Sequence, residues 1–225
     1  FVEGSEGFRM LARLARIMGM RLAAALELPQ EAADKAAFAL ENLFLFVATF
    51  GAILLSAAAL DLLWPVLAAS LTGALMRAAS GGAHLGRPGR CILVSTLLAL
   101  GLGWAGRAAA PFFIPPVSTI LVLATAAAGM VVLFLYAPAD TPAKPIPVPQ
   151  RRVLRAASLA LLGAWLIALL VLPSGRDLPA ASLFGLLWQV FTITPAGYRL
   201  YHALDRAADG LTGRKGGELE CGSSS

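Results

Sequence analysis

Residues Pro111–Tyr136, PFFIPPVSTILVLATAAAGMVVLFLY, run for 26 positions without a charged side chain. A helix rises ~1.5 Å per residue, so about 20 such residues cross a hydrocarbon core ~30 Å thick. The stretch reads as a membrane span, and the rest of the chain agrees with it. Of the 225 residues, 58% are hydrophobic and only 14% charged, with a mean hydropathy of +0.76, which is too apolar for a water-soluble domain. The alternating segments of about 9–11 residues that build an outer-membrane barrel are absent. The expected fold is therefore all-α, a polytopic membrane helical bundle.

Six spans are read, at Ala36–Leu60, Leu62–Met76, Cys91–Arg107, Pro111–Tyr136, Val153–Leu172 and Leu178–Pro195. The second and third are short, so their ends need cover from protein or a tilted, partly re-entrant path, because bare backbone polar groups are costly in lipid. Ahead of them, residues 5–28 place Phe8, Leu11, Ala15, Met18, Leu22 and Ala25 on one helical stripe and Arg9, Arg13 and Arg16 opposite. Two readings stay open for this segment. It is either an amphipathic helix lying in the membrane interface against anionic headgroups or an acidic partner, or a helix packed under the bundle with a solvated Arg face.

Sixteen of the eighteen Lys and Arg residues fall at the amino terminus, in the second and fourth connections and at the carboxyl end, against Arg107 and Arg176 alone in the others. The positive-inside rule then puts both termini and the second connection on the cytoplasmic side. No cleavable signal peptide is visible, and the first span is expected to direct insertion. Three segments follow: residues 1–35 as an amphipathic cytoplasmic segment, 36–200 as the integral membrane domain, and 201–225 as a cytoplasmic tail. The end of that tail, around Cys221, reads as a cloning or tag remnant. Five prolines between Pro138 and Pro149 predict a stiff, extended, non-helical strap before the fifth span.

Chemistry concentrates in the second connection, which runs from Arg77 through Ser80-Gly-Gly-Ala-His84 to Cys91. A cysteine reacts as its thiolate, which a neighbouring His, an Arg or a helix amino terminus favours. Cys91 opens a predicted helix and has Arg87 and Arg90 beside it. In a continuous helix, His84 and Cys91 would be about 10 Å apart along the axis, too far for proton transfer. Gly81, Gly82, Gly86, Pro88 and Gly89 forbid that helix and let the chain fold back. On the residues alone, an inert boundary cysteine and a solvated histidine remain open readings. His202 has no cysteine near it other than Cys221. Glu41, Gln189, Thr192 and Thr194 are expected to face the bundle interior and pair helices. Two histidines and one internal cysteine make no closed zinc site, no nucleotide-binding fingerprint occurs, and neither a cofactor nor a nucleic-acid partner is expected.

The pattern Arg77, Ser80-Gly-Gly-Ala-His84 and Cys91 resembles that of the accessory gene regulator B (AgrB) family of quorum-sensing peptidases. Leu135-Tyr-Ala-Pro138 with Pro145-Ile146 after a short basic spacer is similar to a second family signature. Gly185, Gln189 and Thr194-Pro195 are similar to its last-span pattern, so the resemblance covers roughly residues 5–200. It implies a bacterial cell-membrane cysteine endopeptidase that cleaves the carboxyl-terminal part of an AgrD-like propeptide. The remainder is closed into a thiolactone or lactone through a thioester acyl-enzyme. In that picture Cys91 is the nucleophile and His84 its base and then acid. Arg77, Ser80 and Gly82 support the loop, and Lys144 in the strap meets an acidic propeptide tail, although some relatives are more basic there. Arg9, Arg13 and Arg16 help dock the precursor. A homodimer fits the family pattern, though no heptad or interface signal here carries it. The rival from another class is a non-catalytic bundle, a peptide transporter or scaffold in which Cys91 is incidental; against a transporter, only the second connection looks interrupted.

Overall fold

A computed structural model describes residues 6–27, 29–139, 147–171 and 176–212. The helices are α1 (Glu6–Ala25), α2 (Gln30–Ala59), α3 (Leu63–Ser80), α4 (Pro88–Ala109), α5 (Val117–Tyr136), α6 (Val148–Val171), α7 (Asp177–Thr192) and α8 (Pro195–Thr212). A single 3-10 turn, Ala110–Phe112, prolongs α4. Among the described residues there is no strand, and the one β-type pairing is an isolated bridge between Gly81 and Ala139.

Four helical stretches are long and apolar enough to cross a bilayer: Gln30–Ala59, Gly89–Phe112, Val117–Tyr136 and Val148–Val171. A fifth arises if α7 and α8, bent by 85° at their junction, count as one broken span. The sequence reading expects six. The difference lies in α3 and α7, of 18 and 16 residues, which do not qualify alone and instead occupy the centre. α7 buries ten of its residues, from Pro179 to Thr192, and α3 packs on α7, α4, α6 and α2. Inner helices walled by others need not present a long apolar surface to lipid. Where Ala69 meets α7 the backbones almost touch: a Cβ on Gly185 would lie 2.3 Å from the Ala69 carbonyl oxygen. Ser182 Oγ pins the same region, 2.8 Å from Thr72 Oγ1 of α3 and accepting from Trp165 Nε1 of α6 at 2.8 Å.

The span edges shift for local reasons. Pro115 and Pro116 interrupt the quoted stretch, so α5 starts at Val117 rather than Pro111. The strap is expected to be non-helical through Pro149, yet α6 begins at Val148 and takes Pro149 into its first turn. A proline there loses no helical hydrogen bond, since first-turn N–H groups have no intrahelical acceptor. Lys144 falls outside the described residues.

α1 packs on α2 through Ala15 and Ala23, both nearly inaccessible, with Gly19 against Ala37. This corrects the contact face expected for an under-bundle helix: small residues make it, while Met10, Leu14, Met18 and Leu22 stay exposed together with Arg13 and Arg16. The rotation follows from close approach, because only a small-residue stripe lets two helix backbones lie this near.

Candidate functional site

α3 stops where two glycines take over. Gly81 has φ +70° and Gly82 φ +141°, conformations that cost a Cβ-bearing residue dearly. A Cβ on Gly82 would also lie 2.8 Å from Thr192 Oγ1 and 3.2 Å from Arg77 Nη1. The chain runs irregularly to Arg87, and Pro88 restarts a helix at its first position, where proline is favoured. Cys91 then sits in the first turn of α4, its N–H donating to the Arg87 carbonyl at 3.0 Å.

Three stretches far apart in sequence converge on this loop. From α7, Gln189 Nε2 donates to the Gly81 carbonyl at 2.8 Å and to Ser80 Oγ at 3.1 Å. Its Oε1 accepts from Arg77 Nη1 at 3.4 Å, and the Thr192 carbonyl accepts from the Ala83 N–H at 3.2 Å. From the start of the strap, the Ala139 N–H donates to the Ser80 carbonyl at 2.8 Å, and Arg155 Nε donates to the Ala137 carbonyl at 2.8 Å. Within the loop, Arg77 Nη2 donates to the Ala83 carbonyl, bracing the backbone next to His84. Gln189, Thr192 and Arg77 therefore do more than pair helices. They hold the irregular backbone in shape.

The third contributor is α8. Tyr201, 8% exposed, clusters with Ala83 and Leu85, and Cys91, Val94, Trp188 and Tyr198 pack against them. Asp205 Oδ2 accepts from the Gly86 N–H at 2.8 Å. Arg90 reaches Asp209 at 2.7 Å and the Asp205 carboxylate at 3.7 Å, and Arg87 reaches Asp209 at 3.4 Å. The sequence reading had these two arginines favouring a thiolate at Cys91. Their charges are instead met by two carboxylates, and the cation that lowers the His84 pKa is Arg77. The signal for α8 was present in the sequence as Tyr198, Tyr201, Asp205 and Asp209, spaced to share one helical face beside the Arg87/Arg90 pair, but the segment read as a polar tail.

Cys91 is half-buried and free, its Sγ 3.9 Å from Ser95 Oγ one turn along α4. His84 is exposed at one edge between buried Ala83 and Leu85, and no hydrogen bond joins it to Cys91. Its surroundings nevertheless desolvate the ring. Burial first, and the Arg77 charge second, hold its pKa at about 4 against an ordinary 6.5, so the imidazole is neutral at pH 7. The structure thus gathers Arg77, Ser80, Gly82, His84 and Cys91 at one end of the bundle. Arg13 and Arg16 lie on α1, exposed, and Arg9 lies within the same helix. Among the described residues, no three His, Cys, Asp or Glu side chains are grouped to hold a metal ion. Asp61 and Arg107 pair at 3.4 Å between the start of α3 and the end of α4, the ends of those helices opposite to the loop.

A family model, accessory gene regulator B (AgrB), matches residues 15–193. No curated protein and no solved structure matches the chain.

Proposed function

The chain belongs to the accessory gene regulator B family, a family of quorum-sensing propeptide processing, and from that membership and the site's geometry we propose that it is a peptide-cyclising membrane cysteine endopeptidase. The substrate class that goes with the family is an AgrD-type propeptide in a membrane setting. The observation that carries the finer reading is the convergence of residues 137–139, residues 189–192 and α8 on the short loop 80–86 that leads to Cys91. Three elements are committed to the shape of one short loop, which an incidental cysteine would not require.

In the proposed reaction Cys91 Sγ attacks the scissile carbonyl as its proton passes to His84. Collapse of the tetrahedral intermediate breaks the C–N bond, His84 returns the proton to the leaving amine, and a thioester remains on Cys91. The propeptide's own thiol or hydroxyl then attacks the thioester, giving its proton through His84 to the departing Cys91 sulfur and releasing a thiolactone or lactone. Substrate must close the separation between the two side chains, and catalytic contacts that tighten only in the complex are ordinary. Arg77, Ser80 and Gly82 keep the loop in shape. Lys144 and the Arg9, Arg13 and Arg16 face are proposed propeptide contacts.

We place the termini and the loop on the cytoplasmic side of a bacterial cell membrane by the charge count. The proposed division is an amphipathic segment at 1–35, the peptidase bundle at 36–200 with α3 and α7 as inner spans, and a tail from 201. Self-association as a homodimer belongs to the same proposal. The test is to incubate membranes carrying wild type, Cys91→Ala or His84→Ala with the cognate propeptide and identify products by mass spectrometry. A cyclic product from wild type alone supports the reading. A linear product makes the protein a plain hydrolase, and processing by both variants or by none of the three overturns it.

A further inference from the structure

α8 leaves the bundle at 85° to α7 and turns one face back onto the loop. Tyr198, Tyr201, Asp205 and Asp209 follow one another by three, four and four residues, which confines them to an arc of about 80° at ~100° per residue. The two tyrosines pack into the Cys91 cluster, and the two carboxylates take hold of the chain on either side of it. Asp205 binds the Gly86 N–H, two residues after His84. Asp209 binds Arg90, the residue before Cys91, and also Arg87.

These contacts are sheltered. Arg90, Asp205 and Asp209 side chains are 16%, 23% and 25% exposed, and Arg90 adds a hydrogen bond to the Asp205 carbonyl at 3.2 Å. A charge pair of that kind differs from a solvated surface ion pair, whose contribution is often negligible. The glycines by themselves leave this stretch free to adopt many shapes, so a hold from one helix at both Gly86 and Arg90 restricts its path.

We propose that Asp205 and Asp209 are positioning residues, a clasp by which α8 fixes the path from His84 to Cys91. This rests on the reading of those two as base and nucleophile. By bonding Gly86 and Arg90 from one rigid helix, the clasp sets how far the imidazole lies from the thiol before substrate arrives. Neither carboxylate touches the reacting atoms.

The test reads cleavage of the cognate propeptide in membranes carrying the protein, each background measured with and without His84→Ala. The backgrounds are the wild-type clasp, Asp209→Arg, Asp205→Ala, and the exchanged pair Arg90→Asp with Asp209→Arg. Taking the ratio within each background cancels effects on folding and on the thiol that do not pass through His84. A base acting on bound substrate gives a ratio on the order of a hundredfold. That ratio is expected in the intact clasp, to fall near one in Asp209→Arg and Asp205→Ala, and to return in the exchanged pair. Asp209→Asn supplies the same comparison should Asp209→Arg fail to fold. A ratio near one already in the intact protein overturns the dyad, and the clasp with it. A large ratio that survives every clasp variant overturns the clasp alone.

Discussion

A base works only while unprotonated, so the acid limb of kcat/KM reports the pKa of the free enzyme's base. If His84 is that base, the limb stands near pH 4 instead of the ordinary histidine value of 6.5. At pH 5.5 the difference is large: a group of pKa 4 is ~97% neutral and one of pKa 6.5 only ~9%, about a tenfold gap in activity. Two causes depress His84, burial first and the Arg77 charge second. Arg77→Gln removes only the smaller one, so its limb should move upward by less than half of the roughly 2.5-unit gap. Because Arg77 also braces the Ala83 carbonyl, absolute rates will fall in the variant, and the informative quantity is the position of the limb. The assay is propeptide cleavage in detergent or nanodiscs across pH, with one substrate for both proteins so that its own titrations cancel. A wild-type limb at pH 6.5, or a variant limb that stays put or moves down, would refute the assignment of His84 and the electrostatic argument respectively.

The same depressed pKa predicts acid sensitivity of the fold: the unfolded chain takes up a proton on His84 below about pH 6.5 that the folded chain accepts only near pH 4. His84's contribution is thus whole above pH 6.5 and falls away as pH drops toward 4, and His84→Gln should flatten thermal stability across that window. Gly82→Ala places a methyl at φ +141° and 2.8 Å from Thr192 Oγ1; processing should fall on the order of tenfold or more while the bundle still unfolds cooperatively, as read by activity beside thermal melting. Gly185→Leu forces α3 and α7 apart at Ala69 and should cost about 1–3 kcal/mol or prevent insertion, measured by denaturant titration in micelles.

Much of the fold was legible because lipid is a strict solvent: apolar length marks a span and segregated basic charge marks its ends. Apolar length says less about α3 and α7, which are apolar but short, at 18 and 16 residues, and pack closely through small residues such as Ala69 and Gly185. At the site, the glycines and Pro88 announced an irregular loop, and Gln189 and Thr192 announced buried polarity. What no local pattern disclosed was their target, because Gln189 reaches Gly81 across 108 residues of chain. α8 was hidden differently. Its Tyr198-to-Asp209 face is amphipathic in the ordinary way, and only the arginines it meets reveal which surface it serves.

A weak base also bears on how a thioester escapes water. On the proposed mechanism, His84 must help a second nucleophile attack the acyl group on Cys91, and the competitors are water, with a pKa of about 15.7, and the propeptide's thiol, with one of about 8.5. An imidazole held at pKa about 4 is a poor base for either. The handicap weighs more on water, which needs nearly full proton removal, than on a thiol that ionises readily by itself. Once protonated, the same imidazole is a strong acid, suited to delivering its proton to the leaving amine in the first step. Lowering His84 thus helps cleavage finish and biases resolution toward the ring. Arg77→Gln, which raises the base, should increase the share of linear, hydrolysed product from a cysteine-bearing propeptide. An unchanged ratio of linear to cyclic peptide, together with a shifted acid limb, would break this link between base strength and cyclisation.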